Sequence, residues 1–242
     1  MLASRCRRPG MASSSALPAR SDHHARSLRR ATAHKPLAIQ VIVPDWWPLT
    51  NLEAIDFVQR ASEAADGIPL ILYNPPHAKR VLRPAELSDV CGPCPSVVGM
   101  KIADGDDAWY AQARVYLGEF ALFIPGHHLA TGIKRGVAAG AFSNVACLSP
   151  RGAQAWTALM HTDIDAALEI ESRICAFMDS DIVPFRREHG YSNAALDKLL
   201  AAIGDWGPVT TRLRWPYRFI SEQDANGLRD RARRMIPELF AR

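Results

Sequence analysis

GIPLILYNPP (67–76) and VVGMKIADGD (97–106) decide how this chain folds. Each begins with a short apolar run of strand type, ends that run on a polar, reactive residue, Tyr73 or Lys101, and passes into turn-forming residues. Similar runs lie on either side: AIQVIV (38–43), FALFI (120–124) and GAFS (140–143). With IPLILY (68–73) and VVGMK (97–101) their starts fall 30, 29, 23 and 20 residues apart. A parallel strand must be followed by a crossover, usually a helix, before its neighbour can begin, so this spacing predicts successive βα units. All five runs are apolar on both faces, as expected of strands lying between a barrel interior and a shell of helices.

The segments between the runs carry helix signals. Thr50 or Asn51 can cap LEAIDFVQRASEAADG (52–67), where Ile55, Val58 and Ala61 or Ala65 share one face and Gly67 ends the helix. Pro84 opens PAELSDV at a first-turn position, where its missing N–H costs nothing. Asp106 or Asp107 starts DAWYAQARVYLG, with Gly118 as the stop. Beyond Pro150 the pattern changes: Ala153–Met178 is almost unbroken helix former, followed by YSNAALDKLLAAIG and SEQDANGLRDRARRMIPELFAR. The expected organisation is a basic leader over 1–36, a partial (β/α) barrel over 37–150 and a C-terminal helical extension over 151–242.

Composition narrows the class further. With 48% hydrophobic and 22% charged residues in 242, the chain can bury a substantial core, and no apolar run approaches the ~18 residues of a membrane helix. The net charge of +4 is unevenly divided: residues 1–36 hold seven arginines and one lysine against Asp22, a net +7 that leaves the remainder at −3. A mildly acidic body argues against nucleic-acid binding, which places positive charge on a folded face. The leader lacks the apolar core of a secretory signal, and no apolar stretch follows Arg29 and Arg30. The expectation is a solvated basic tail with a helix remnant at ARSLRRATAH (25–34), an organellar transit peptide being the alternative. Five cysteines, Cys6, Cys91, Cys94, Cys147 and Cys175, form an odd and sparse set, expected to be reduced thiols in a cytoplasmic protein.

The chemistry centres on Tyr73 and Lys101. In (β/α) barrels the carboxyl ends of the strands face the catalytic mouth, so residues ending consecutive strands project into one pocket. An amine in poorly hydrated surroundings keeps a neutral, nucleophilic fraction, and a phenol within hydrogen-bond range can deliver the proton that Schiff-base formation requires. A strand-end lysine that merely reaches solvent is the competing reading of the same spacing.

GIPLILYNPP, VVGMKIADGD, FIPGHH (123–128), GAFSNVACLSP (140–150) and the late RLRWPYRFISEQ (212–223) resemble, in order and local sequence, the dihydrodipicolinate synthase and N-acetylneuraminate lyase family. The resemblance runs from about residue 37 to the C-terminus. It implies a (β/α)8 TIM-barrel fold and a class I aldolase-type lyase. The implied chemistry holds a pyruvate-like 2-oxo acid as an imine on Lys101, with Tyr73 shuttling protons, and needs neither cofactor nor metal. The partner substrate would be an aldehyde-type small molecule, in a homo-oligomer, tetramer or dimer, with no nucleic-acid or membrane partner. Gly126 matches the glycine of the seventh-strand loop. Phe142 stands where the family has an aliphatic residue beside the oxo acid, and Asn74 and Pro76 match the turn that presents the tyrosine. His77, Lys79, His127 and His128 are candidate mouth residues, although their spacing suits no compact metal set.

The sequence also departs from the family pattern. It has no Gly-Thr-Thr-Gly-Glu segment to bind the substrate carboxylate, and the resemblance begins at the fourth strand. Five strands do not close an eight-stranded barrel, so an incomplete barrel is expected, truncated or completed by a partner surface. Asp45 and Trp46 replace the paired tyrosines after the fourth strand, and an indole does not relay a proton as a phenol does. Ala78, with Lys79 beside it, replaces the arginine that follows the tyrosine turn, and an ammonium is no substitute for a bidentate guanidinium. These changes point away from dihydrodipicolinate synthesis and toward a different aldehyde or 2-oxo acid. Cys91-Gly-Pro-Cys94 has the form of a redox pair, but it follows a short helix on the rim opposite Lys101 and reads as an ordinary loop. The alternative to a lyase is a catalytically inactive family member or an oxo-acid-binding protein.

Overall fold

The computed structural model describes residues 19–241, so Cys6 and the first half of the leader lie outside the described residues. The chain divides into two compact units, the first ending at Phe123 and the second beginning at Ile124.

In the first unit the order is α1 (Ala19–Thr32), β1 (Ile39–Ile42), α2 (Asn51–Ala65), β2 (Leu70–Asn74), α3 (Pro84–Cys91), β3 (Val97–Ile102), α4 (Asp107–Tyr116) and β4 (Ala121–Ile124). The strands are parallel and lie beside one another in chain order, as βα repetition requires. The predicted helix starts hold. Thr50 caps α2 in a reciprocal capping box with Glu53, Pro84 opens α3, and the Asp106 side chain accepts the Trp109 N–H. Ala54, Val58, Ala61 and Ala65 form the buried stripe of α2 at helical spacing, while Ile55 is half-buried. The turn after α2 places both Asp66 and Gly67 at positive φ, so the left-handed cap begins one residue before the glycine.

The two faces of the strands differ. One carries Val41, Leu72, Met100 and Leu122 in register, all buried. The other carries Ile42, Tyr73, Lys101 and Phe123 abreast; Ile42 is 46% exposed and the other three are half-buried. Apolar sequence on both faces therefore does not translate into equal burial within this unit.

The second unit holds α5 (Leu129–Lys134), β5 (Ala138–Ala141), α6 (Val145–Leu148), α7 (Pro150–Thr162), α8 (Ile164–Phe177), α9 (Val183–Arg187), α10 (Asn193–Gly204) and α11 (Glu222–Met235). β5 ends at Ala141, two residues earlier than the GAFS run suggests, so Phe142 lies on the loop that follows. The long helix-forming stretch after Pro150 is broken at Asp163, whose carboxylate accepts the Ala166 N–H and starts α8 afresh. The core of this unit is a continuous cluster including Leu129, Trp156, Ile174, Phe177, Leu199 and Ile203. Trp156 donates its indole N–H to the Ala167 carbonyl at 2.9 Å, so its polar atom is satisfied inside that core. Among the described residues no helix is long and apolar enough to cross a membrane.

Candidate active site

Lys101 and Tyr73 face each other because of a single irregularity. Leu70 pairs with Val97, but Ile71 pairs with Gly99, leaving Val98 as an unpaired bulge residue. Side chains alternate along a strand, so one extra residue reverses the face of everything after it. Without the bulge Tyr73 would sit opposite Met100, and Lys101 would point to the other face; with it Tyr73 and Lys101 are in direct register. The Lys101 Nζ stands 4.2 Å from the centroid of the Tyr73 ring, a cation–π separation that fixes amine and phenol as neighbours. Gly99, two residues earlier, permits the close strand approach: a Cβ there would lie 2.6 Å from the Ala121 carbonyl oxygen.

Asn74 follows Tyr73 but lies on the opposite, buried face, 1% exposed. Its amide donates to the Arg80 carbonyl at 3.1 Å and its Oδ1 accepts the Leu82 N–H at 2.7 Å. These bonds span the loop between β2 and α3 and hold it against the strand end. On that loop His77 is exposed, and Lys79 is engaged with the loop after β1. Lys79 Nζ donates to the Trp46 carbonyl at 2.6 Å, and its backbone N–H donates to the Asp45 carboxylate at 2.8 Å. Asp45 and Trp46 thus serve as an anchor for this loop.

Arg80, which the sequence reading passed over, is the clamp of the rim. Its guanidinium donates to the Leu49 carbonyl, the Asn51 side chain and the Glu86 carboxylate, the last at 2.7 Å. Glu86 in turn accepts the Arg83 N–H at 3.0 Å. That backbone donor first, and then the Arg80 guanidinium, draw the Glu86 carboxyl down from 4.5 to about 2. A carboxyl whose value is depressed in the folded state stabilises the fold above its unfolded value, and that contribution fades as pH falls toward its folded value. Glu86→Gln is therefore expected to lower the thermal midpoint at neutral pH. Melting curves should show the difference from wild type shrinking between about pH 4.5 and 2.

A cavity of about 130 Å³ opens at the same ends of β2 and β3, lined by Asn74, Leu82, Arg83, Ile102, Asp104 and Trp109 among others. The Tyr110 hydroxyl donates to the Asp104 carboxylate at 2.9 Å, which fixes that wall.

In the second unit Gly126 is buried in a 3-10 turn, Gly126–His128, that directly follows β4. A Cβ at Gly126 would fall 2.2 Å from Ser143 Oγ and 2.6 Å from Ser143 Cα, so no larger residue fits against the loop after β5. His127 pairs its Nδ1 with the Asn144 side chain and lies against His128, ring centroids 4.2 Å apart. Phe142, on the loop between Ala141 and Asn144, is 45% exposed. Among the described residues no group of three or more His, Cys, Asp or Glu is arranged to hold a metal ion.

Cys91 and Cys94 are free, 0% and 5% exposed, and burial pushes the Cys91 thiol up to about 12. A redox nucleophile needs the opposite shift. Cys147 is likewise raised, to about 11, by burial and then by the charge of Asp197.

The fold matches solved structures across most of the chain. One is a prophage protein of the dihydrodipicolinic acid synthase family from E. coli, solved in complex with pyruvate. It is 17% identical, with a TM-score of 0.73, over 89% of this chain and 72% of that one. A sialic acid aldolase from Ruminococcus gnavus gives 16%, 0.69, 91% and 70%. A variant of the Sulfolobus solfataricus 2-keto-3-deoxygluconate aldolase gives 15%, 0.71, 91% and 72%. No family model matches the chain, and no curated protein does. The resemblance expected from the motifs is thereby shown at the level of the fold, a parallel α/β sheet with helices.

Proposed function

We propose that this chain is a class I aldolase-type lyase in which Lys101 forms an imine with a pyruvate-like 2-oxo acid and Tyr73 moves the protons. The observation that carries the reading is the 4.2 Å approach of Lys101 Nζ to the Tyr73 ring at the carboxyl ends of adjacent, in-register strands. Those strand ends are the catalytic mouth in barrels of this kind.

The chemistry follows from the two groups. The neutral amine attacks the carbonyl carbon, the phenol supplies a proton to the departing hydroxyl, and water leaves as the imine forms. The cationic imine draws electrons from the adjacent carbon, whose proton departs to give an enamine. That carbon then attacks an aldehyde, or in reverse is released from one; loss of a hydroxyl from a sugar acid follows the same electron flow. In this reading β1–β5 serve as the fourth to eighth strands of a (β/α)8 barrel, 37–150 form the barrel segment, 151–242 its helical extension, and 1–36 a leader. Gly126, Phe142 and His128 contact the oxo acid or its partner. His77 and Lys79 belong to the rim, and Asn74 supports it. The protein works in the cytoplasm as a dimer or tetramer.

The alternative to turnover is a chain that holds an oxo acid without converting it. Proton exchange separates the two. In D2O the proposed lyase replaces the methyl protons of pyruvate by deuterium through the enamine, seen as loss of the methyl signal by proton NMR. A pyruvate-saturated chain that leaves the methyl signal intact contradicts the lyase reading and leaves the binding one.

A further inference from the structure

Lys101 has an aromatic residue in register on each neighbouring strand, Tyr73 on β2 and Phe123 on β4, and all three are half-buried on one face of the sheet. Neighbouring strands lie only about 4.8 Å apart, so side chains abreast on one face are next to one another. The pairing of β3 with β4 runs unbroken from Gly99 and Ala121 through Met100 and Leu122 to Lys101 and Phe123. The bulge at Val98, which brings Lys101 abreast of Tyr73, therefore leaves its alignment with Phe123 intact. Two features hold Phe123 in that place. Its chain neighbours Leu122 and Ile124 are buried on the opposite face, 1% and 3% exposed, and Gly99 lets the two strands approach where a Cβ would lie 2.6 Å from the Ala121 carbonyl oxygen.

Lys101 Nζ lies 4.2 Å from the centroid of the Tyr73 ring, so the amine leans toward β2 and its other flank is turned to β4. The two flanks differ chemically: Tyr73 carries a hydroxyl that gives and takes a proton, and Phe123 offers only carbon. A 2-oxo acid held on the amine also has two unlike substituents at its carbonyl carbon, a carboxylate and a carbon chain. A carboxylate set against a phenyl ring loses hydration with no hydrogen bond in return, whereas a carbon chain gains from the contact. The chain therefore falls on the Phe123 flank, where the ring leaves little depth for it.

We propose that Phe123 is a specificity-determining residue, its ring restricting the oxo acid to a short carbon chain, the methyl of pyruvate rather than the ethyl of 2-oxobutyrate. The inference rests on the lyase reading and deepens it by naming what limits the substrate. An apolar wall discriminates one methylene by about 10–200-fold.

The test uses the full chain and deuterium exchange at the carbon beside the carbonyl of each acid, followed by proton NMR, every rate being divided by its value in free solution. The wild type is expected to prefer pyruvate at least about tenfold in the ratio of maximal rate to half-saturating concentration. Phe123→Ala should shrink that preference about tenfold, chiefly by a gain with 2-oxobutyrate. Phe123→Leu shifts it the same way to a smaller extent and serves where Phe123→Ala does not fold. Ile42→Ala, on the far side of Tyr73, is the control and leaves the preference unchanged. A wild type that takes both acids equally, a preference unmoved in folded Phe123 variants, or an equal shift in Ile42→Ala overturns the specificity role alone. A wild-type chain that exchanges no protons of pyruvate overturns the lyase reading, and the specificity role with it.

Discussion

Lys101→Ala is expected to reduce deuterium exchange into pyruvate to the rate of free solution while leaving the chain folded. Lys101 is half-buried on the less covered face of β3, beyond the bulge at Val98, and is not one of the buried core residues. The loss is thus chemical. Lys101→Arg sharpens the test, because a guanidinium keeps the positive charge over the Tyr73 ring but has no neutral form to act as nucleophile. Both variants should match the uncatalysed rate, with circular dichroism and thermal midpoints near wild type. Exchange surviving in either would move the reactive amine elsewhere.

Tyr73→Phe separates the ring from its hydroxyl. The ring remains to seat the ammonium 4.2 Å away, whereas the proton carrier is gone. General acid–base groups contribute about 10²–10⁴-fold, so maximal exchange should fall by about 10²–10³-fold with half-saturation little changed. Tyr73→Ala removes the seat as well and should be worse on both measures. A Tyr73→Phe chain exchanging at the wild-type rate would leave the phenol as a packing partner only.

Much of this arrangement is legible in the sequence, and the exceptions have physical reasons. Short apolar runs locate four of the five strands, and Thr50, Pro84 and Asp106 mark helix starts because each satisfies or dispenses with an orphan N–H. The fifth strand is displaced because Ala-Ala-Gly-Ala has neither branched nor aromatic side chains to set its limits. Asp163 could have been read as a cap within the long helical stretch, but helix formers on both sides mask it. The bulge at Val98 is invisible in composition and emerges only from register, although it determines which way Lys101 points. Arg80 escapes for the same reason. A charged residue in a polar loop reads as a solvated face until tertiary packing sets it against specific acceptors.

Borohydride reduction in the presence of pyruvate, followed by peptide mapping, is the most direct test of the central claim. One stable adduct is expected, on the peptide containing Lys101, absent when pyruvate or borohydride is omitted. No adduct at millimolar pyruvate, or an adduct on another lysine, would contradict it.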